Sequence, residues 1–202
     1  MRVLKDDKYQ AILQAARREF SGRGFKDASM RGIARRAGVG LSNIYNYFRN
    51  KDELYRAVVI PAQEELFDFI ARQHTEDKVA LNRLSPFGHD ETVIDRYIDL
   101  IDRYRTELKL LLCHSEGSSA AGFRDAFADY LTRVSRNYME IEKKHYPGAN
   151  DISPFFLHVL CSWTVSVLGE IVTHDLSRKE VREFFGEYFR FEFAGWRCLT
   201  GT

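Results

Sequence analysis

Apolar residues along the chain recur at three- and four-residue spacing in successive stretches separated by glycine, proline and polar clusters, the period of amphipathic helices. Tyr9, Ile12, Leu13, Ala16 and Phe20 predict a first helix, with Asp6 and Asp7 suited to cap its start and Gly22 and Gly24 to stop it. Ser29 suits the cap of a second helix that turns Ile33, Ala34 and Ala37 inward. Gly38-Val39-Gly40 breaks that helix before a third, predicted from about Leu41 to Phe48. Two short helices joined by a glycine turn form a helix-turn-helix. Each small residue has a mechanical reason: Ala34 permits a close crossing, and Gly38 supplies the positive φ that the turn demands.

The rest of the pattern is also helical. Leu54, Tyr55, Val58, Ala62, Leu66 and Ile70 continue a fourth helix, which Pro61 is expected to kink or divide because it cannot donate the i to i−4 bond. After a loop holding Pro86 and Gly88, the series Ile94, Tyr97, Ile98, Ile101, Tyr104, Leu108 and Leu111 predicts a long helix. His114 to Ser119 reads as a loop, and a further helix runs from Phe123 to the Tyr146-Pro147-Gly148 stop. Two more open at Ser153-Pro154 and at a capping box from Ser177 to Glu180. The predicted fold class is all-α: an N-terminal three-helix unit over residues 1–56, its motif at about 30–49, followed by a helical bundle over residues 57–202.

The last two helices are apolar around most of their circumference, through Phe155, Phe156, Leu157, Val159, Leu160, Trp163 and then Phe184, Phe185, Tyr188, Phe189, Phe191 and Phe193. A helix apolar all round must be buried on all sides. A second subunit is the expected source of part of that cover, with Phe189 as a candidate interface residue.

Charge separates the two segments more sharply than the net +1 suggests. Residues 1–56 hold 13 Lys and Arg against 6 Asp and Glu, while residues 57–202 hold 17 against 23. A basic head on an acidic body suits a polyanionic partner for the head. The longest uncharged apolar stretch, Phe155 to Gly169, reads as too short and too polar to span a bilayer, and no apolar block follows the first residues, so a cytoplasmic location is expected. Cys113, Cys161 and Cys198 are widely spaced and odd in number, which reads as reduced core thiols rather than a disulfide framework or zinc site.

The third helix suggests what the basic head reads. With Ile44 facing inward, Leu41 and Phe48 lie near it while Ser42, Asn43 and Asn46 lie on the far side, flanked by Tyr45 and Tyr47. An Asn side chain can pair bidentately with adenine in the major groove, and a Ser can serve any base. The tyrosines are placed to reach phosphates on either side. Asn50 and Glu53 make an Asn-type capping box for the fourth helix. Lys51, in its first turn, opposes the helix dipole unless an anion binds there. Ser29 and Arg31, opening the second helix, are further phosphate candidates.

The stretch MRGIARRAGVGLSNIYNYFR, residues 30–49, followed by Asn50-Lys51-Asp52-Glu53-Leu54, resembles the DNA-binding domain of the TetR family of bacterial transcriptional regulators. Phe20, Gly24, Phe25, Ile33, Ala34, Ala37-Gly38-Val39, Ile44-Tyr45, Tyr47-Phe48, Lys51 and Leu54 carry the resemblance. Gly40 departs from the Ser or Thr frequent there, and Ser42 and Asn43 stand at positions that vary with the operator. The resemblance implies a homodimeric regulator, most often a repressor, that binds a palindromic double-stranded operator and a small-molecule effector. It implies phosphate contacts for Tyr45, Tyr47 and Lys51, and dimerisation through the final helix pair. The body holds 20 of the 27 aromatic residues, so an apolar or aromatic effector is expected. Tyr97, Tyr104, Phe127 and Trp163 are aromatic candidates that the pattern does not separate from plain core.

Enzyme signatures for nucleotide, metal-hydrolase or serine chemistry are missing from the sequence, and neither enzymatic activity nor a cofactor is expected. The rival reading is a metal-dependent helical-bundle enzyme of the di-iron type with an accessory basic head. It rests on Glu142-Lys143-Lys144-His145, an E-x-x-H spacing that would need a second copy. His145 reads more simply as a helix-end histidine favoured by the dipole.

Overall fold

A computed structural model of the chain describes residues 2–78 and 91–201. The expected loop at Pro86 and Gly88 lies outside the described residues. The helices are α1 (Arg2–Asp27), α2 (Met30–Ala37), α3 (Leu41–Tyr45), α4 (Lys51–Gln73), α5 (Glu91–Cys113), α6 (Phe123–His145), α7 (Pro154–Thr173) and α8 (Arg178–Thr200). There is no strand among the described residues. The chain forms two compact units, one of residues 1–64 with 104–124 and one of residues 65–103 with 125–202.

The first unit is built on a buried core that includes Ile12, Ala16, Phe20, Ile33, Ile44 and Leu54. Its helix boundaries follow local chemistry. Ser29 Oγ accepts from the Gly32 N–H to cap α2, and Gly38, at φ 66°, ends it in the left-handed conformation. Several expectations are corrected here. The helix α1 starts at Arg2, so Asp6 and Asp7 lie within it. Gly22 does not stop it; the backbone leaves helical geometry at Gly24, at φ 69°. Pro61 does not divide α4, which runs through it as a single helix. Non-helical dihedrals fall instead at Tyr104 in α5, a break that hydrophobic spacing cannot reveal.

The segment 104–124 joins this unit through specific partners. Tyr55 is fully buried between Phe20 and Phe25, with ring centroids 5.1 Å away in each case, and its hydroxyl donates to the Leu110 carbonyl at 3.0 Å. Burial raises the Tyr55 pKa, with Asp52 adding to the effect. Arg17 donates to Glu107 at 3.0 Å, and the Phe25 N–H donates to the His114 carbonyl at 3.1 Å. The residues 1–56 expected as a domain lie wholly in this unit, which these contacts extend.

The second unit packs the remainder of α4 and α5 with α6, α7 and α8 around Leu66, Ile98, Leu131, Leu157, Val165 and Phe185. Ser153 caps α7 by accepting from the Phe156 N–H, with Pro154 at the first helical position. Ser177 and Glu180 form the expected capping box of α8. Arg178 bridges Asp99 and Asp102 at 2.6 and 2.7 Å, and Arg182 pairs with Asp95.

Two further expectations change in this unit. The helix α7 has 20 residues, so it is long and apolar enough to cross a bilayer by length and composition, with 33% of its most apolar window buried. The helix continues past Gly169 through Glu170 to Thr173. Its hydroxyls are satisfied within the helix: Ser162, Thr164 and Ser166 donate to the carbonyls of His158, Leu160 and Ser162. The cysteines are not all core thiols. Cys161 is buried, but Cys113 and Cys198 are exposed.

Candidate nucleic-acid interface and cavity

The helix-turn-helix presents the polar face that its spacing predicts. Ile44 is fully buried and Phe48 nearly so, while Ser42, Tyr45 and Asn46 are exposed and Asn43 is half-buried. The helix is shorter than expected. Regular α geometry ends at Tyr45, and Asn46 is the C-cap, still right-handed at φ −73°, with its N–H directed to Ser42 and Ile44 carbonyls. Tyr47 and Phe48 each donate to the Ile44 carbonyl, which closes a tight last turn. A polar side chain at the cap therefore retains nearly the helical direction expected of it.

The two flanking tyrosines differ. Tyr45 is 50% exposed. Tyr47 is half-buried, its ring 5.9 Å from Tyr9 and 6.4 Å from Phe48, while Tyr9 stacks on Phe48 at 5.5 Å. This aromatic group fixes the end of α3 against α1.

Ser29 and Arg31 are exposed at the start of α2, and the Ser29 hydroxyl oxygen already serves as the cap. Lys51 has a local structural role. Its ammonium donates to the Lys26 and Ala28 carbonyls, both at 3.0 Å, and lies 4.5 Å from the centre of the Phe25 ring. These bonds satisfy carbonyls at the end of α1, so the lysine ties α1 to the start of α4. They engage two of the three ammonium donors. The Asn50 box is also modified: Asn50 Oδ1 accepts from the Glu53 N–H at 2.8 Å, but the Glu53 carboxylate accepts from Arg49 rather than from Asn50.

Sequence reasoning missed Glu19. Its carboxylate is buried, faces Arg36 at 3.4 Å and Arg23 at 3.5 Å, and lies where a Cβ on Gly32 would approach to 2.7 Å. Gly32 thus leaves room for an acid that holds two arginines of the basic head. Helical spacing offered one sign of it, since Glu19 stands beside Phe20 and Ala16 on the inward side of α1.

The second unit encloses a cavity of about 360 Å³ lined by residues of α4 to α8, among them Ile70, Tyr97, Phe127, Leu157, Phe185 and Phe189. Of the four aromatic candidates, Tyr97 and Phe127 line it, whereas Tyr104 and Trp163 do not. Phe189 is 5% exposed and belongs to the cavity wall, which corrects its assignment to a subunit interface. The face left uncovered is elsewhere on the same helices, at Phe155, Val159, Trp163 and Phe191, and Trp163 meets Phe191 ring to ring at 5.9 Å.

Polar side chains also line the cavity. His74 Nδ1 lies 2.8 Å from the Ile70 carbonyl, and burial lowers its pKa. Tyr188 donates to Glu192 at 2.6 Å and lies 3.1 Å from the Thr164 hydroxyl. Burial raises the Glu192 pKa, partly offset by the Tyr188 bond. The E-x-x-H residues separate: Glu142 lines the cavity, whereas exposed His145 faces the Ile141 carbonyl and Glu76. No group of three or more His, Cys, Asp or Glu is set to hold a metal among the described residues.

An all-helical chain with this N-terminal helix-turn-helix defines a class of regulator folds, and comparison places it within one. Residues 12–58 match the family model described as bacterial regulatory proteins, tetR family. The helix-turn-helix segment is therefore of the type found in the TetR family of bacterial transcriptional regulators. Over 60 residues it is 35% identical to the HTH-type transcriptional regulator YhgD of Bacillus subtilis, a match covering 30% of this chain and 31% of that one. The chain thus spans about a third of the length of this curated relative. Among solved structures it is similar to a TetR-like transcriptional regulator from Rhodococcus sp. RHA1, at TM-score 0.65 and 19% identity over 93% of this chain and 96% of that one. It is also similar to NalD, the secondary repressor of the MexAB-OprM multidrug efflux pump in Pseudomonas aeruginosa, at TM-score 0.66 and 17% identity over 96% and 98%. At these identities the likeness is one of fold.

Proposed function

We propose that the chain is a cytoplasmic, ligand-responsive repressor that binds a palindromic operator as a homodimer. The observation that carries this reading is the exposed polar face of α3, where Ser42, Tyr45 and Asn46 stand clear of a fully buried Ile44 in a segment with an excess of basic residues. In this reading Ser42, Asn43 and Asn46 meet base edges, while Ser29, Arg31, Tyr45, Tyr47 and Lys51 position the protein on phosphates. The third Lys51 donor serves a phosphate while the other two hold α1. The uncovered apolar stripe of α7 and α8 is the dimer face, and the two-fold axis it creates sets two recognition helices on two half-sites.

The cavity supplies the effector site. At about 360 Å³ it falls at the small end of the range for drug-sized ligands. Effector and operator then weaken each other by the same factor, because binding coupling is reciprocal. The fold likeness to NalD supports the sign of regulation proposed here.

Selecting bound duplexes from a random pool with the full chain tests this directly. Recovery of one inverted repeat, with half-sites about one helical turn apart, is the expected result. A pool that returns no enriched sequence would reject the reading.

A further inference from the structure

The cavity contains a carboxyl group that an apolar ligand would not need. Glu192 is half-buried in the cavity wall and accepts one hydrogen bond, from Tyr188 at 2.6 Å. Among the described residues no Lys, Arg or His lies within ion-pair distance of it. A carboxylate in such a place is expensive when ionised and unpaired. Packing does not require it, since an uncharged side chain of the same size would fill the space at no such cost. Its neighbours suit a cation: Tyr97 and Tyr188 lie close enough to sense its charge, and phenol ring faces attract organic cations.

We propose that the cavity selects organic cations, specifically aromatic molecules carrying a protonated amine, with the ammonium on Glu192 and the rings against the surrounding aromatic wall. This rests on the effector reading above and specifies its chemistry. With Glu192 counted, carboxylates outnumber charged bases among the lining groups. Glu142 is a second carboxylate, His74 is held toward its neutral form by burial, and Arg197 lies with its guanidinium 5.7 Å from the Phe193 ring. An anionic ligand would meet two carboxylates against the single guanidinium of Arg197. A neutral ligand would gain nothing from Glu192.

Three probes with one aromatic frame separate these cases: 2-naphthylmethylamine, 2-naphthalenemethanol and 2-naphthoate, titrated calorimetrically into the full chain at neutral pH. The amine is expected to bind at least tenfold tighter than either of the others. That ratio should fall to near one in Glu192→Gln and persist in Glu192→Asp, which shows that the charge and not the fold is responsible. Equal binding of amine and alcohol, an unchanged ratio in Glu192→Gln, or no binding of any probe would overturn the proposal. The effector reading fails separately, if the amine binds in the cavity but leaves operator affinity unchanged.

Discussion

On the proposed dimer face of α7 and α8, replacing Phe155 or Phe191 by Asp should yield a folded monomer. These side chains are 77% and 69% exposed in the single chain. A phenylalanine presents roughly 200 Å², so each leaves about 140 to 150 Å² of apolar surface in water. At about 25 cal/mol per Å², covering one such residue is worth about 3.5 kcal/mol, and a two-fold interface uses every position twice, for about 7 kcal/mol as an upper bound. Binding costs reduce this, and about 4 kcal/mol per substituted dimer is a reasonable fraction. At 1.4 kcal/mol for each tenfold change, dissociation should weaken by about a thousandfold. Sedimentation velocity over a concentration series reads the constant directly, and near-ultraviolet circular dichroism checks that the monomer is folded. Phe189→Asp is the contrast, because that residue lines the cavity and its variant should lose tertiary structure. A wild-type monomer, or a Phe191→Asp dimer as tight as wild type, would refute the reasoning.

Three other outcomes follow from named contacts. Lys51→Ala should weaken specific and random DNA about equally and lower the salt slope by about one per subunit. It should also cost about 1 to 2 kcal/mol in a urea melt, because the Lys26 and Ala28 carbonyls lose a charged donor. Tyr55→Phe removes a buried hydroxyl from the Leu110 carbonyl and should cost about 1 kcal/mol by the same melt. Burial raises the Glu192 pKa, so the folded chain keeps that proton where the unfolded chain has released it, and stability falls as pH rises from the ordinary glutamate range through the folded value. Glu192→Gln has no such proton, so its urea midpoint relative to wild type should climb with pH across that window; a constant difference would count against the burial.

Local chemistry was legible in the sequence, and tertiary choice was not. Ser29, Gly38, Ser153 and Ser177 cap or end their helices as expected because a cap depends on a few adjacent residues. The outward face of α3 was legible for the same reason, since Ile44 alone sets its inward direction. The division between Phe189 and Phe191 was not: when a helix is apolar all round, periodicity cannot say which side meets its own chain and which is left bare. Lys51 shows a different limit. Its place at a helix start suggested an anion, but the Lys26 and Ala28 carbonyls it holds are 25 and 23 residues away in the chain. Glu192 is one of three glutamates in an aromatic run, with Glu183 and Glu187, and nothing in the sequence separates it from them until the cavity brings in Thr164 and Tyr97 from other helices.

The central claim, that the exposed face of α3 reads sequence while Lys51 holds phosphate without reading it, is tested most directly by titrating wild type, Asn46→Ala and Lys51→Ala on the selected operator and on a scrambled duplex at two salt concentrations. Asn46→Ala should lose about 1 to 3 kcal/mol on the operator and almost nothing on the scrambled duplex. Lys51→Ala should lose similar affinity on both. If Asn46→Ala weakened both duplexes alike, or Lys51→Ala weakened only the operator, the assignment of roles across this interface would be contradicted.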